Sequence, residues 1–173
     1  MRLHNKIAIT GALALSVAFS AAAQKTVKVE LHDAQGNSVG TAELSPAPKG
    51  VSIQLNLMNL PPGVHGIHIH AVAKCEGPGF TTAGGHLNPD TKHHGLENPE
   101  GPHAGDIPNI TVGPQGDVKA TVVAPGVTMG DDAHSIFSNG GTALVIHAMA
   151  DDMKSDPAGN AGSRIACGTI VKP

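Results

Sequence analysis

The chain has 173 residues, with 22 glycines, 13 prolines, no tryptophan or tyrosine, and a formal charge of −3 with its 11 histidines neutral. Eleven Lys and Arg stand against 14 Asp and Glu with no basic run, which excludes the electrostatic footprint of a nucleic-acid or acidic-membrane binder. The length suits one domain with a real core, not comfortably two.

In chain order, Arg2, His4 and Lys6 precede an apolar run over residues 7–19 and then Ala21-Ala22-Ala23, the pattern of an export leader cleaved after Ala23. The apolar run of about 13 residues is too short to span a bilayer, which needs about 20. The expected organisation is a leader over 1–23 and a mature domain over 24–173. That domain is exported to the periplasm or secreted, and is off the membrane once the leader is removed. Losing Arg2 and Lys6 takes the formal charge from −3 to −5.

Val27, Val29 and Leu31 alternate with Lys28, Glu30 and His32, which predicts a half-buried strand ending at Asp33-Ala34-Gln35-Gly36-Asn37. Further strands are predicted over 39–44, 51–57, 64–71, 106–112, 117–124, 142–147 and 164–171. Between residues 76 and 114 periodicity collapses into a long Gly- and Pro-rich loop, and a second glycine-rich loop covers 148–163. Loops of that length inside a domain are functional or disordered, and a bound metal is one device that orders them. Eight short strands without repeat or helical period predict an all-β antiparallel sandwich or barrel. Cys75 and Cys167 read first as a disulfide in an exported chain, and second as buried free thiols.

The long loop and the strands carry a histidine set. His68 and His70 in Gly66-Ile67-His68-Ile69-His70 project to one face of a strand, and His147 ends another. His86, His94, His103 and Asp106 offer three nitrogens and one oxygen, a closed set suited to structural zinc. Imidazoles alone, His68, His70, His147 and one more, suit copper. If His86 lies between the two groups, its two ring nitrogens serve both. His65 is expected to be structural, and His4, His32 and His134 are not expected to bind metal. Met129, Met149 and Met153 are soft donors better explained by packing or surface positions.

Several segments together resemble the copper–zinc superoxide dismutases. They are Gly66-x-His68-x-His70, Gly85-His86-x-Asn88-Pro89, Lys92-His93-His94-Gly95, His103-Ala104-Gly105-Asp106, His147-x-x-x-Asp151-Asp152 and the run from Gly159-Asn160-Ala161-Gly162-Ser163-Arg164 to Cys167-Gly168. The likeness runs over about the whole mature chain, and the short second loop points to the bacterial exported branch. It implies an eight-stranded Greek-key barrel or sandwich, immunoglobulin-like, with two long functional loops. It also implies one copper and one zinc ion per subunit, superoxide as substrate, and dioxygen and hydrogen peroxide as products in antioxidant defence.

The same resemblance implies copper on His68, His70, His86 and His147, and zinc on His86, His94, His103 and Asp106. His94 is favoured over His93, which is expected in solvent. Asp151 is implied as a carboxylate joining His68 to His94. His86 is implied to exchange a proton during turnover, and Arg164, beside the implied Cys75–Cys167 bridge, to guide the anion. Lys154 is a second candidate guide, offset by Asp152 and Asp156. A homodimer is possible in this family, and no nucleic-acid partner is expected.

Three other metal-protein classes fit less well. A metal carrier would show an exposed Met/His tract, and a blue-copper carrier needs a free thiolate. A zinc hydrolase would leave its zinc an open position.

Overall fold

In the computed structural model, residues 26–173 are described; the expected leader over 1–23, its cleavage point and His4 lie outside them. Nine strands follow in order: β1 (Val27–Asp33), β2 (Ser38–Pro46), β3 (Val51–Leu57), β4 (Gly63–His65), β5 (Ile67–His70), β6 (Ile110–Val112), β7 (Val118–Ala124), β8 (Thr142–His147) and β9 (Arg164–Ile170). β1 and β3 follow the alternation of their sequences, with Val27, Val29, Leu31, Val51, Ile53, Leu55 and Leu57 buried and Lys28, Glu30, Gln54 and Asn56 outward. Burying these aliphatic side chains, with Ile67, Ile69, Leu144 and Ile146 from the other end of the sheet, forms the main core.

A seven-stranded sheet runs β5-β8-β9-β1-β2-β3-β7, and a small sheet pairs β4 with β6. All strand pairs are antiparallel. The sheet curls around the main core, and the chain crosses it between β3 and β4 and again between β7 and β8, as a Greek key does. The single strand predicted over 64–71 is divided at Gly66. β4 pairs with β6 and β5 with β8, so one predicted strand serves two sheets. Counted as one bent strand, β4–β5 restores the eight expected.

β8 is buried along its whole length because both of its faces are covered. Leu144 and Ile146 face the main core, while Ala143 and Val145 pack with Phe80, Ala83 and Cys167 in a second, smaller cluster. Cys75 and Cys167 form a disulfide across a sequence separation of 92, tying the segment after β5 to β9. Closing a loop of that length stabilises by about 4–5 kcal/mol in the chain-entropy account. The double substitution Cys75→Ser and Cys167→Ser is therefore expected to cost the metal-free protein that order of stability, measured by denaturant titration. A loss below about 1 kcal/mol would contradict this account of the bridge.

Candidate metal centre

Strand alternation places the first group of histidines. On β5, Ile67 and Ile69 enter the core, so His68 and His70 must project from the opposite face. His68 pairs with Val145 and His70 with Ala143, and the same face of β8 therefore carries His147 at its end. A bulge between Ile146 and His147 shifts the register there, pairing His147 with Arg164 of β9.

Backbone pairing places the second group. β5 is an edge of the large sheet, and segments of the long loop lie along it. Leu87 N–H donates to Ile69 O at 2.8 Å, Ile69 N–H to Gly105 O at 2.9 Å, and Ala71 N–H to Gly85 O at 2.9 Å. Single bridges pair His70 with His86 and His68 with Asp106. The loop that looked irregular in the sequence is thus docked on a strand, with His86 and Asp106 beside the strand histidines. Asp106 holds the rest of it: its Oδ2 accepts the N–H groups of Gly95 at 2.8 Å and His103 at 2.9 Å.

The resulting cluster has two halves. In the first, ring nitrogens of His68, His70, His86 and His147 lie within 4.8 Å of one another, all buried. One nitrogen of each has no hydrogen-bond partner: His68 Nδ1, His70 Nε2, His86 Nε2 and His147 Nε2. Four buried, converging lone pairs left unmatched would be costly in a finished structure. They fit an ion with a preference for imidazole.

In the second half, Asp106 Oδ1 is 2.9 Å from His86 Nδ1, 3.0 Å from His94 Nδ1 and 3.5 Å from His103 Nδ1. His103 Nδ1 is 3.3 Å from His86 Nδ1. Zinc bonds of 2.0–2.1 Å in a tetrahedron give ligand-to-ligand edges of about 3.3 Å, and these four separations are of that order. His68 is near this half too. Its Nε2 is already taken by Asp151 at 2.8 Å, however, and its free Nδ1 belongs to the first half. His86 has one nitrogen in each half.

Asp151 joins the halves from behind, accepting from His68 Nε2 at 2.8 Å and His94 Nε2 at 3.0 Å. A residue not anticipated from sequence fixes it. The Asn109 amide donates to Asp151 O and accepts from Asp151 N, both at 2.9 Å, as a strand partner would. Gly159 covers it closely, at φ +62°, where an added Cβ would collide with Asp151 Oδ1.

Burial dominates the protonation of the first half. It pushes His70 down to about 2 and His86 and His147 to about 4, and it lowers His68 as well. Their imidazoles are neutral at pH 7, as ligands must be. In His94 burial acts the same way, but hydrogen bonds to Asp106 and Asp151 outweigh it and raise the group to about 9. The same bonds overcome burial in both carboxyls and hold them well below the usual range.

Other sequence candidates fall outside the cluster. His93 is exposed, and His65 lies between the carbonyls of Pro61 and His147. His32 is 3.8 Å from Glu30, and His134 contacts Asp90 and Gly126 O. Met149 is on the surface. Lys154 forms an ion pair with Glu97 at 2.9 Å, which offsets its charge. Arg164 donates to Phe80 O and to Gly84 O, each at 2.6 Å, and Gly84 O also accepts from His70 Nδ1. One carbonyl therefore separates the guanidinium from the histidine cluster. Arg164 also lines an open cavity of about 580 Å³ together with Thr81 and Ser163.

These features have counterparts in known proteins. Residues 38–170 match the family described as copper/zinc superoxide dismutase (SODC). Superoxide dismutase [Cu-Zn] 1 of Aquifex aeolicus is 48% identical over 159 residues, covering 91% of this chain and 94% of the relative. Superoxide dismutase [Cu-Zn] 2 of the same organism is 52% identical over 143 residues, covering 82% and 84%. Among solved structures, the Cu/Zn superoxide dismutase of Brucella abortus superposes with a TM-score of 0.70 at 32% identity, covering 86% of this chain and all of that one. The chain belongs to the copper/zinc superoxide dismutase family, and it is an oxidoreductase that converts superoxide to dioxygen and hydrogen peroxide with copper and zinc as cofactors.

Proposed function

We propose that His68, His70, His86 and His147 hold the copper and that His86, His94, His103 and Asp106 hold the zinc, with His86 shared. The observation that carries this assignment is the set of four buried, unpartnered nitrogens converging from β5, β8 and the long loop. Copper bound there supplies one-electron redox chemistry, and zinc, which has none, supplies charge and rigidity. Dismutation consumes two superoxide ions and two protons per peroxide formed. His86 is the residue suited to deliver a proton: its Nδ1 is fixed beside Asp106, while its Nε2 has no partner and faces the copper half. The test of the assignment is metal analysis alongside superoxide consumption, before and after chelation and metal return. Full metallation without superoxide consumption would refute it.

Arg164 is assigned to guiding the anion. The chain is net negative, so attraction must be local, and Lys154 is paired. Arg164→Ala is expected to lower the second-order rate constant by about tenfold and to flatten its dependence on ionic strength, with copper and zinc contents unchanged. A variant that matches the parent's rate constants at both low and high salt would remove Arg164 from this role.

Zinc capture carries a pH signature. In the metal-free protein His94 is held as imidazolium up to about pH 9. Its pKa is raised, so its contribution to metal-free stability is complete below the ordinary value near 6.5 and is lost as pH rises through about 9. Zinc must displace that proton, so zinc affinity should climb by up to about tenfold per pH unit through neutrality and level off near pH 9. Competition against a chelator of known affinity measures this; a flat profile from pH 6 to 9 would contradict it.

Asn109→Ala leaves two backbone groups of Asp151 without partners. A loss of about 1–3 kcal/mol in unfolding free energy is expected, with weaker retention of both metals. Parent-like thermal stability together with parent-like metal retention would refute the clamp. Residues 1–23 are assigned as a leader removed after Ala23, giving an exported domain over 24–173. The Cys75–Cys167 disulfide supports this, because such bonds persist in oxidising compartments.

A further inference from the structure

Each clustered histidine other than His86 turns one ring nitrogen inward and leaves the other for an acceptor. His68 and His94 use Asp151, His70 uses Gly84 O at 2.9 Å, and His147 uses Gly162 O at 3.2 Å. At His68, His70 and His147 these acceptors fix the tautomer, so that the inward nitrogen keeps its lone pair, while the inward Nδ1 of His94 faces Asp106 Oδ1 at 3.0 Å. His103 faces Asp106 and His86 with Nδ1, and its Nε2 faces Asp156 Oδ1 at 3.8 Å. That separation is an ion-pair contact, longer than a hydrogen bond.

Asp156 belongs to the second loop, and it reaches the zinc loop at two further points. Its Oδ1 accepts from His94 N–H at 2.6 Å, and its Oδ2 lies 3.6 Å from His93 Nδ1. It also differs from the other carboxylates of the centre in exposure. The Asp156 side chain is 46% exposed, against 1% for Asp106 and 0% for Asp151. The His103 corner is therefore the part of the zinc half that meets solvent.

We propose that Asp156 is a positioning residue for zinc: the outer carboxylate of His103, and the latch at the corner through which the ion enters and leaves. The proposal rests on His103 being a zinc ligand. A half-exposed charge pair contributes little to folding by itself. Its effect lies in holding the Nε2–H form of His103, so that Nδ1 remains a donor to the metal. Loss of the latch acts on zinc retention and leaves the four copper-side nitrogens untouched.

The rival explanation is mechanical, with Asp156 merely tethering two loops through His94 N–H. Asp156→Asn separates the two, because the amide oxygen still accepts from His94 N–H while the charge is gone. The experiment compares fully metallated parent, Asp156→Ala, Asp156→Asn and His103→Ala, following zinc release to excess chelator. The visible spectrum of each protein with cobalt(II) in place of zinc is recorded in parallel. Asp156→Ala should release zinc about 10–100-fold faster and Asp156→Asn at least about fivefold faster, both with altered cobalt bands and unchanged copper content. Asp156→Asn at the parent rate would leave only the tether and overturn the proposal. Asp156→Ala within about twofold of the parent would overturn it as well, and because Asn is isosteric a folding defect in the Ala variant does not obscure the answer. If His103→Ala also holds zinc like the parent, the assignment of His103 itself falls and the proposal with it. If His103→Ala loses zinc and the Asp156 variants do not, only the proposal fails.

Discussion

An imidazole has two nitrogens, and a buried one must satisfy both. Most of the metal centre follows from that constraint. For His68, His70 and His147 the fold provides one fixed acceptor, a carboxylate or a backbone carbonyl, and so determines which nitrogen is left to point inward, whereas His94 meets a carboxylate at each nitrogen. His86 differs because both of its nitrogens face the cluster, Nδ1 toward Asp106 and Nε2 toward the group it forms with His68, His70 and His147. A single tautomer of a neutral ring cannot serve both sides in the same way. The ring would be matched on both sides only if each half of the cluster held a cation.

Two buried carboxylates convert this local rule into tertiary structure. Asp106 gathers one loop by binding ring nitrogens with one oxygen and the N–H groups of Gly95 and His103 with the other. Asp151, on the second loop, spans from a strand histidine to a loop histidine and is itself clamped by Asn109. The two loops, the edge strand and β8 thus meet at these polar contacts as well as through the small apolar cluster of Phe80, Ala83, Ala143 and Val145. Arg164 joins the same network through Gly84 O, the acceptor it shares with His70. The position of the guanidinium and the tautomer of His70 depend on one peptide group.

Much of this was legible in the sequence because it rests on periodicity. The alternation in β1 and β3, the projection of His68 and His70 from one face, and the placement of His147 at a strand end all follow from a period of two. The pairing of the cysteines and the choice of His94 over His93 came from motif and register. What periodicity cannot express was missed. The division at Gly66 depends on which strands are available as partners. The order in the long loop comes from docking against the edge of β5, a contact invisible in a segment without alternation. Asn109 acts through two hydrogen bonds to a residue 42 positions away, which no local pattern announces. The charge of Lys154 is offset by Glu97 from the other loop, so its surroundings could not be judged from Asp152 and Asp156 alone.

The docking of the long loop has a meaning apart from chemistry. β5 ends the large sheet, and an uncovered terminal strand offers its free N–H and C=O groups to any other extended chain. Here those groups are engaged by Gly85, Leu87 and Gly105, in the segments that also carry His86, His103 and Asp106. The cover is short, and it is anchored from below by Leu87, Ala104 and Ile107 in the main core. The side chains gathered into the histidine cluster thus sit on the same segments that close this margin of the sheet, so whatever grips His86 and Asp106 also keeps the edge of β5 from adding the strand of a neighbour.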